Sequence, residues 1–170
     1  MISAKMKHTA RSLYIYLTIF SVFLLTASFV LQFHFNQNPC NLCIIDRIIV
    51  LSLVLIFVAA IWHNPKTWRR FLYCLLGLIL SLCGIGASLR HLWILYQPHE
   101  SLPACAPGFS YLISTLPLKE AFLIILQGSG ECTIRNNDIL GVPLPGWTLL
   151  AFIILSVGCV LAWKKCLKKG

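Results

Sequence analysis

Charged residues are scarce in this chain, and acidic residues are the scarcest. Only 11% of the 170 residues are charged, and five acids stand against fourteen lysines and arginines. With 58% hydrophobic residues and a mean hydropathy of +0.82, this composition excludes a soluble globular domain. The sequence also lacks internal repeats and low-complexity tracts. The class that it predicts is an integral membrane protein.

Four apolar segments are long enough to cross a bilayer, which takes about 20 helical residues. They cover about residues 12–35, 44–63, 71–97 and 147–163. The first could be a secretory signal, but its apolar run continues to Phe35 and exceeds the usual signal core. We therefore expect an all-α membrane protein, with residues 1–170 forming a single membrane domain built as a four-helix transmembrane bundle.

The basic residues fix the expected orientation of this bundle. They crowd into the amino-terminal tail, the middle link and the carboxyl tail: Lys5, Lys7, Arg11, Lys66, Arg69, Arg70, Lys164, Lys165, Lys168 and Lys169. By the positive-inside rule, both termini should be cytoplasmic. The net charge of +9 then indicates contact with anionic lipid headgroups rather than with nucleic acid.

Two loops, about 36–43 and 98–146, should face the opposite side. Within the long loop, apolar residues recur at helical spacing, which predicts a short amphipathic helix lying in the membrane interface. Its apolar face would consist of Leu118, Ala121, Phe122, Ile125 and Leu126. Turn residues on both sides, including Pro117 and Gly128, predict hinges at its ends.

The eight cysteines fall into two groups once this topology is drawn. Cys74, Cys83, Cys159 and Cys166 lie in spans or at the cytoplasmic edge, where packing is the expected role of those inside a span. The other four lie in or beside the outward loops, where an oxidising compartment permits disulfides. Two pairs suggest themselves, Cys40 with Cys43 and Cys105 with Cys132. A purely structural staple remains an alternative for the second pair.

A Cys-x-x-Cys pair such as Cys40 and Cys43 typically serves thiol exchange or metal binding. Metal is disfavoured, because Cys105 and Cys132 are single and no histidine accompanies them at ligand spacing. Thiol exchange needs a thiolate, which a helix amino terminus at Cys43 and a cation at Arg47, four residues on, would both stabilise. The alternative for Arg47 is snorkelling to the surface or pairing with Asp46.

Two further polar residues, Arg90 and His91, lie about two turns below the outer end of the third span. A charged residue at that depth indicates a functional site by default. Snorkelling to the interface is again the alternative.

Together these residues resemble the DsbB family of bacterial membrane disulfide oxidases. The matching motifs occur in the family's order over nearly the whole chain, which makes them more specific than a lone Cys-x-x-Cys. They are Pro39-Cys40-Asn41-Leu42-Cys43 with Arg47, Arg90 to Trp93, Pro103-Ala104-Cys105-Ala106-Pro107, Gly128-Ser129-Gly130-Glu131-Cys132, Leu140-Gly141 and Pro145-Gly146-Trp147.

The resemblance implies a quinone-dependent protein-disulfide oxidoreductase of the bacterial inner membrane, with its active cysteines periplasmic. A reduced thioredoxin-fold protein resembling DsbA would attack the Cys105 to Cys132 disulfide, with Cys105 forming the mixed disulfide. Electrons would pass to the Cys40 to Cys43 pair and from Cys43 to ubiquinone or menaquinone of the membrane pool. Arg47, with Arg90 and His91, would line the quinone site.

Two residues depart from the family pattern. Asp46 stands where glutamine or glutamate is usual, so pairing with Arg47 could weaken its pull on Cys43 or the quinone. Asn137 stands where a tryptophan anchor is expected, which affects the placement of the long loop.

Other functions remain open beside this one. A specialised paralogue would serve one dedicated partner. A structural tetraspan protein with outer disulfides would hold Cys40 and Cys43 permanently oxidised. A quinone-linked reductase resembling vitamin K epoxide reductase is disfavoured, since its cysteine pair usually lies late in the chain.

Overall fold

The computed structural model describes residues 2–35, 40–63, 67–96, 108–128, 138–139 and 141–167. They form six helices and two short strands, in the order α1 (Ile2–Phe35), α2 (Asn41–His63), α3 (Thr67–Leu95), α4 (Phe109–Thr115), α5 (Leu118–Gln127), β1 (Asp138–Ile139), β2 (Val142–Pro143) and α6 (Leu144–Leu167).

Four of these helices are long and apolar enough to cross a membrane. The segments that qualify are Arg11–His34, Asn41–His63, Phe71–Leu95 and Leu144–Lys164. The prediction of a four-helix transmembrane bundle is confirmed. The last helix starts three residues earlier than the apolar run suggested, because Pro145 sits in its first turn, where a missing N–H costs no helical hydrogen bond.

The four long helices pack around one core. α3 makes its most extensive interface with α6, while α2 lies between α1 and α3. Glycines allow close approach: a Cβ on Gly77 would lie 3.0 Å from the Phe57 ring, and one on Gly84 would lie 2.5 Å from the Phe152 ring. Small residues at such crossings are typical of membrane helices, which associate mainly through close packing.

The span cysteines take two different positions. Cys74 and Cys159 are buried in the core, as expected, and the Cys74 sulfur lies 2.9 Å from the Tyr14 hydroxyl. Cys83 is exposed on the outside of the bundle. The interior-packing role predicted for Cys83 is therefore wrong, whereas it holds for the other two.

The outside of the bundle is covered by large apolar side chains. Examples that are more than half exposed are Ile19, Phe23, Leu55, Trp62, Leu89 and Val157. Such a continuous apolar surface would be an aggregation site in water, but it is the surface a bilayer requires.

The short helices α4 and α5 fold over the outer end of the bundle, meaning the end where α2 begins and α3 ends. There Leu112, Ala121 and Ile125 form a second buried cluster with Leu42 and Ile94. The amphipathic helix predicted in the long loop is present as α5, but its apolar residues are divided between two sides.

Only part of that predicted apolar face packs on the bundle. Ala121 and Ile125 are buried, whereas Leu118 and Phe122 are 75% and 54% exposed. The exposed pair can enter the lipid interface while the buried pair holds the helix to the bundle.

A two-residue antiparallel ladder, β1 with β2, precedes α6. Gly141 forms its turn with φ +78°, a conformation that glycine adopts without strain. This hairpin is an addition to the predicted all-α fold. Asn137, which precedes β1 in the chain, and Leu140, which precedes Gly141, lie outside the described residues.

Candidate redox site

Cys40 and Cys43 lie where α2 begins. The Cys40 carbonyl accepts the first helical hydrogen bond, from Ile44 N–H at 3.2 Å, so Cys40 occupies the N-cap position. Its Sγ accepts the Cys43 N–H at 3.4 Å, as N-cap side chains commonly do three residues ahead. Cys43 therefore sits in the first turn, where the unpaired amides and the helix dipole favour negative charge.

The two sulfurs lie close together but differ in exposure. Cys40 is placed to donate its thiol hydrogen to the Cys43 Sγ, at 2.8 Å. Cys40 is only 8% exposed, whereas Cys43 is half-buried. Cys43 is thus the sulfur that an incoming reactant meets, while Cys40 is shielded behind it.

His91 of α3 completes the surroundings of Cys40. Its Nε2 lies 3.7 Å from the Cys40 Sγ, and its side chain is only 5% exposed. Ligand atoms of Cys40, Cys43 and His91 all lie within 4.8 Å of one another, an arrangement that could hold a metal ion. The sequence disfavoured metal because no histidine accompanies Cys105 and Cys132 at ligand spacing; His91, distant in the chain, reaches Cys40 and Cys43 instead.

Arg47 turns its guanidinium toward α1. Its Nε donates to Ser28 Oγ at 2.8 Å, its Nη2 donates to the Ser28 carbonyl at 3.2 Å, and its Nη1 donates to Gln32 Oε1. The ring of Phe29 lies 5.0 Å from the Arg47 Cζ. This cation is therefore fixed by α1 rather than snorkelling to the surface.

Sequence reasoning missed these α1 residues, although a signal was present. Ser28 and Gln32 are polar and four residues apart in a predominantly apolar span, and so share one helix face. Asp46, considered earlier as a partner for Arg47, is 6% exposed, and its Oδ1 has no hydrogen-bond partner among the described residues.

Arg90 contacts the loop helix. Its Nε donates to the Leu126 carbonyl at 3.0 Å and its Nη2 to the Gln127 carbonyl at 3.5 Å, at the carboxyl end of α5. A cation there satisfies carbonyls that the helix leaves unpaired and complements its dipole. Adjacent residues of α3 thus serve different neighbours, His91 facing Cys40 and Arg90 facing α5.

An open apolar groove of about 740 Å³ lies along α1, lined by Val22, Leu25, Thr26, Phe29, Val30, Phe33 and His34. Phe29 belongs to this groove and also contacts Arg47. The groove therefore reaches Arg47, which lies one helical turn after Cys43.

The second predicted cysteine pair, Cys105 and Cys132, lies outside the described residues, as do Pro103, Pro107 and the Ser129 to Glu131 stretch. Of the seven predicted site residues, the structure brings Cys40, Cys43 and His91 together. It places Arg47 one turn further along α2 and directs Arg90 to α5.

Comparison with known proteins identifies the same family that the motifs resemble. The family model for disulfide bond formation protein DsbB matches residues 10–162. A disulfide bond formation protein B of Nitrosococcus oceani is 43% identical over 126 residues, covering 74% of this chain and 75% of the relative. One from Methylococcus capsulatus is 37% identical over 155 residues, covering 91% of this chain and 94% of the relative.

Proposed function

The chain belongs to the DsbB family of disulfide bond formation proteins, and from that membership we propose how its cysteines carry electrons. It is a multi-pass membrane protein and a disulfide oxidoreductase. We propose that it reoxidises a periplasmic thioredoxin-fold protein resembling DsbA and delivers the electrons to membrane quinone through Cys40 and Cys43.

On the basis of the family resemblance, we assign the first exchange to Cys105 and Cys132, called here the outer pair. Cys40 and Cys43 are the inner pair. A thiolate of the reduced partner attacks the Cys105 to Cys132 disulfide, with Cys105 taking the partner in a mixed disulfide. The partner's second thiol then releases it oxidised, which leaves Cys105 and Cys132 reduced. Exchange with the Cys40 to Cys43 disulfide reoxidises the outer pair and leaves the inner pair as the dithiol.

The inner pair is suited to reoxidation from the membrane. Bound quinone would accept two electrons and two protons, the number that a dithiol releases on becoming a disulfide. Half-buried Cys43 presents its sulfur in the first turn of α2. Cys40 closes the disulfide from its shielded position, and His91 Nε2, at 3.7 Å, is placed to take the proton that Cys40 loses.

Arg47 and the groove on α1 supply features suited to a quinone. A guanidinium held by Ser28 and Gln32 is a preorganised donor for a carbonyl oxygen. The apolar groove that shares Phe29 with Arg47 suits an isoprenoid tail. Binding there would place the ring at the same end of α2 as Cys43.

The basic residues of the tails and middle link support cytoplasmic termini in the bacterial inner membrane. The beginning of α2 and the end of α3 would then face the periplasm. In this orientation the loop helices α4 and α5 lie on the side where the thiol partner arrives.

The observation that carries this proposal is the pairing of one shielded and one accessible sulfur at the start of a transmembrane helix, one turn before a fixed arginine. The test is quinone reduction by the purified protein in detergent, with a reduced DsbA-like protein as donor and ubiquinone or menaquinone as acceptor. Cys43→Ser should abolish turnover and Arg47→Ala should lower it. Cys83→Ser, on the outer surface of α3, should leave it unchanged.

A separate variant tests the order of the relay. Cys105→Ser should block oxidation of the partner yet leave a chemically reduced Cys40 to Cys43 pair able to reduce quinone. Intact partner oxidation in Cys105→Ser would overturn the order, and absence of turnover with either quinone would overturn the proposed activity.

A further inference from the structure

Three potential metal-ligating atoms converge at the outer end of the bundle: the sulfurs of Cys40 and Cys43 and a ring nitrogen of His91. We propose that the reduced Cys40 to Cys43 pair and His91 form a binding site for a thiophilic d¹⁰ cation of the Zn²⁺ and Cd²⁺ class. While it is bound, the cation prevents the Cys40 and Cys43 thiols from passing electrons to quinone. This consequence rests on the proposed function.

The types of ligand atom, and the distance between the two buried ones, fit such an ion. Two thiolates and one imidazole are ligands that zinc prefers, and the three-ligand arrangement leaves a fourth position open. Tetrahedral zinc, with bonds of about 2.3 Å to sulfur and about 2.1 Å to nitrogen, separates these two atoms by roughly 3.6 Å. The observed distance from Cys40 Sγ to His91 Nε2 is 3.7 Å, between two buried side chains.

The third ligand needs a small adjustment. Two sulfurs on tetrahedral zinc lie roughly 3.8 Å apart, whereas those of Cys40 and Cys43 lie 2.8 Å apart. Cys43 is the ligand with room to move, because it is half-buried in the first turn of α2. A side-chain rotation of about 1 Å at the sulfur opens the pair without displacing Cys40 or His91.

The nearby cations do not occupy this position. Arg47 directs its guanidinium to Ser28 and Gln32 on α1, and Arg90 directs its own to the carbonyls at the end of α5. Both charges are therefore held by other partners, and the approach to the half-buried Cys43 sulfur remains the entry path for the ion.

Cation binding depends on the redox state of Cys40 and Cys43. The two thiols release their protons, two sulfur to metal bonds form, and no atom changes oxidation state. In the disulfide form these bonds cannot form, which leaves His91 as a single ligand. The cation therefore selects the reduced enzyme and competes with its reoxidation, since a ligand bound to one state shifts the equilibrium toward that state.

The test uses Cd²⁺ as the probe and the full-length chain carrying Cys105→Ala and Cys132→Ala, so that the outer pair contributes no thiolates. After anaerobic chemical reduction in detergent, titration should produce one thiolate to cadmium charge-transfer absorption per chain. The disulfide form should give none. Cys43→Ser should lose the band, and His91→Ala should weaken the affinity by at least about tenfold.

Two controls separate this site from general thiol binding. Cys83→Ser removes an exposed cysteine of the same helix as His91 and should leave the affinity unchanged. His91→Gln keeps a polar side chain of similar length and should also weaken binding, so that loss in His91→Ala is not attributed to misfolding. Equal affinity in the dithiol and disulfide forms, or an unaltered affinity in both His91 variants, would overturn the site.

Quinone reduction by the chemically reduced protein, with and without Cd²⁺, distinguishes the two proposals. Cadmium binding without any metal-free turnover would retain the metal site and overturn the proposed function. Metal-free turnover without cadmium binding would retain the proposed function and overturn the metal site. Turnover that persists at saturating Cd²⁺ would overturn the inhibitory role of the cation.

Discussion

The Nε2 atom of His91 lies 3.7 Å from the Sγ atom of Cys40, across the interface between α3 and α2. These residues are 51 positions apart in the chain. Their contact joins the shielded cysteine of the Cys-x-x-Cys pair to a buried imidazole.

Replacing His91 should slow closure of the Cys40 to Cys43 disulfide. His91→Phe keeps a ring but removes the nitrogen that can accept the Cys40 proton, and loss of a positioned base typically costs about 10² to 10⁴ in rate. Rapid mixing of the reduced protein with quinone measures this step. Ser88→Ala, a buried change one turn away on α3, is the control, and an equal loss in both variants would contradict a specific role for His91.

Releasing Arg47 from α1 should weaken quinone binding although the arginine itself is retained. Ser28→Ala and Gln32→Ala each remove a partner that fixes the guanidinium, so each should raise the KM for quinone several-fold. Thr18→Ala, whose hydroxyl donates to the Tyr14 carbonyl of its own helix, serves as control. Unchanged KM in both test variants would show that the α1 contacts are not needed.

Arg90→Gln should loosen the loop helix at its carboxyl end. The variant loses the charged donors to the Leu126 and Gln127 carbonyls, which we expect to cost α5 about 1 kcal/mol of local stability. Hydrogen exchange of the amides in 118–128 measures the effect. The exchange of amides in α6 provides the internal reference, and full protection of α5 in the variant would contradict the assignment.

Gly128→Ala should destabilise the contact between the loop helix and the bundle. Gly128 has φ +77°, and a Cβ there would lie 2.5 Å from the Cδ1 of Ile94, a fully buried side chain. Strain and overpacking together should cost about 1 to 3 kcal/mol. Thermal unfolding in detergent measures the change.

Gly86→Ala is the matched control for that substitution. Gly86 lies within α3, and among the described residues no atom outside its own stretch of helix backbone lies within 4 Å of the position its Cβ would take. Alanine there should be neutral or slightly stabilising, because it favours the helix. A destabilisation equal to that of Gly128→Ala would mean that the Ile94 contact is not the cause.

Much of the fold follows from local sequence properties. A bilayer forces each long apolar segment to satisfy its own backbone hydrogen bonds, so helices and their approximate bounds could be predicted from length and hydropathy. The position of Cys40 and Cys43 at a helix start also follows from local sequence, since Pro39 precedes them and an apolar run follows. The motifs then identified the family.

The tertiary structure alone decided which residues meet at the site. Along most of α2 and α6 apolar residues occupy every side, so the sequence does not show which face of each helix packs against its neighbours. The rotation of α2 against α1 and α3 brings Arg47 to Ser28 and Cys40 to His91, and it depends on close packing between distant segments. Hydrophobicity thus determined that these helices cross the membrane, and only side-chain packing between them determined the neighbours of the cysteine pair.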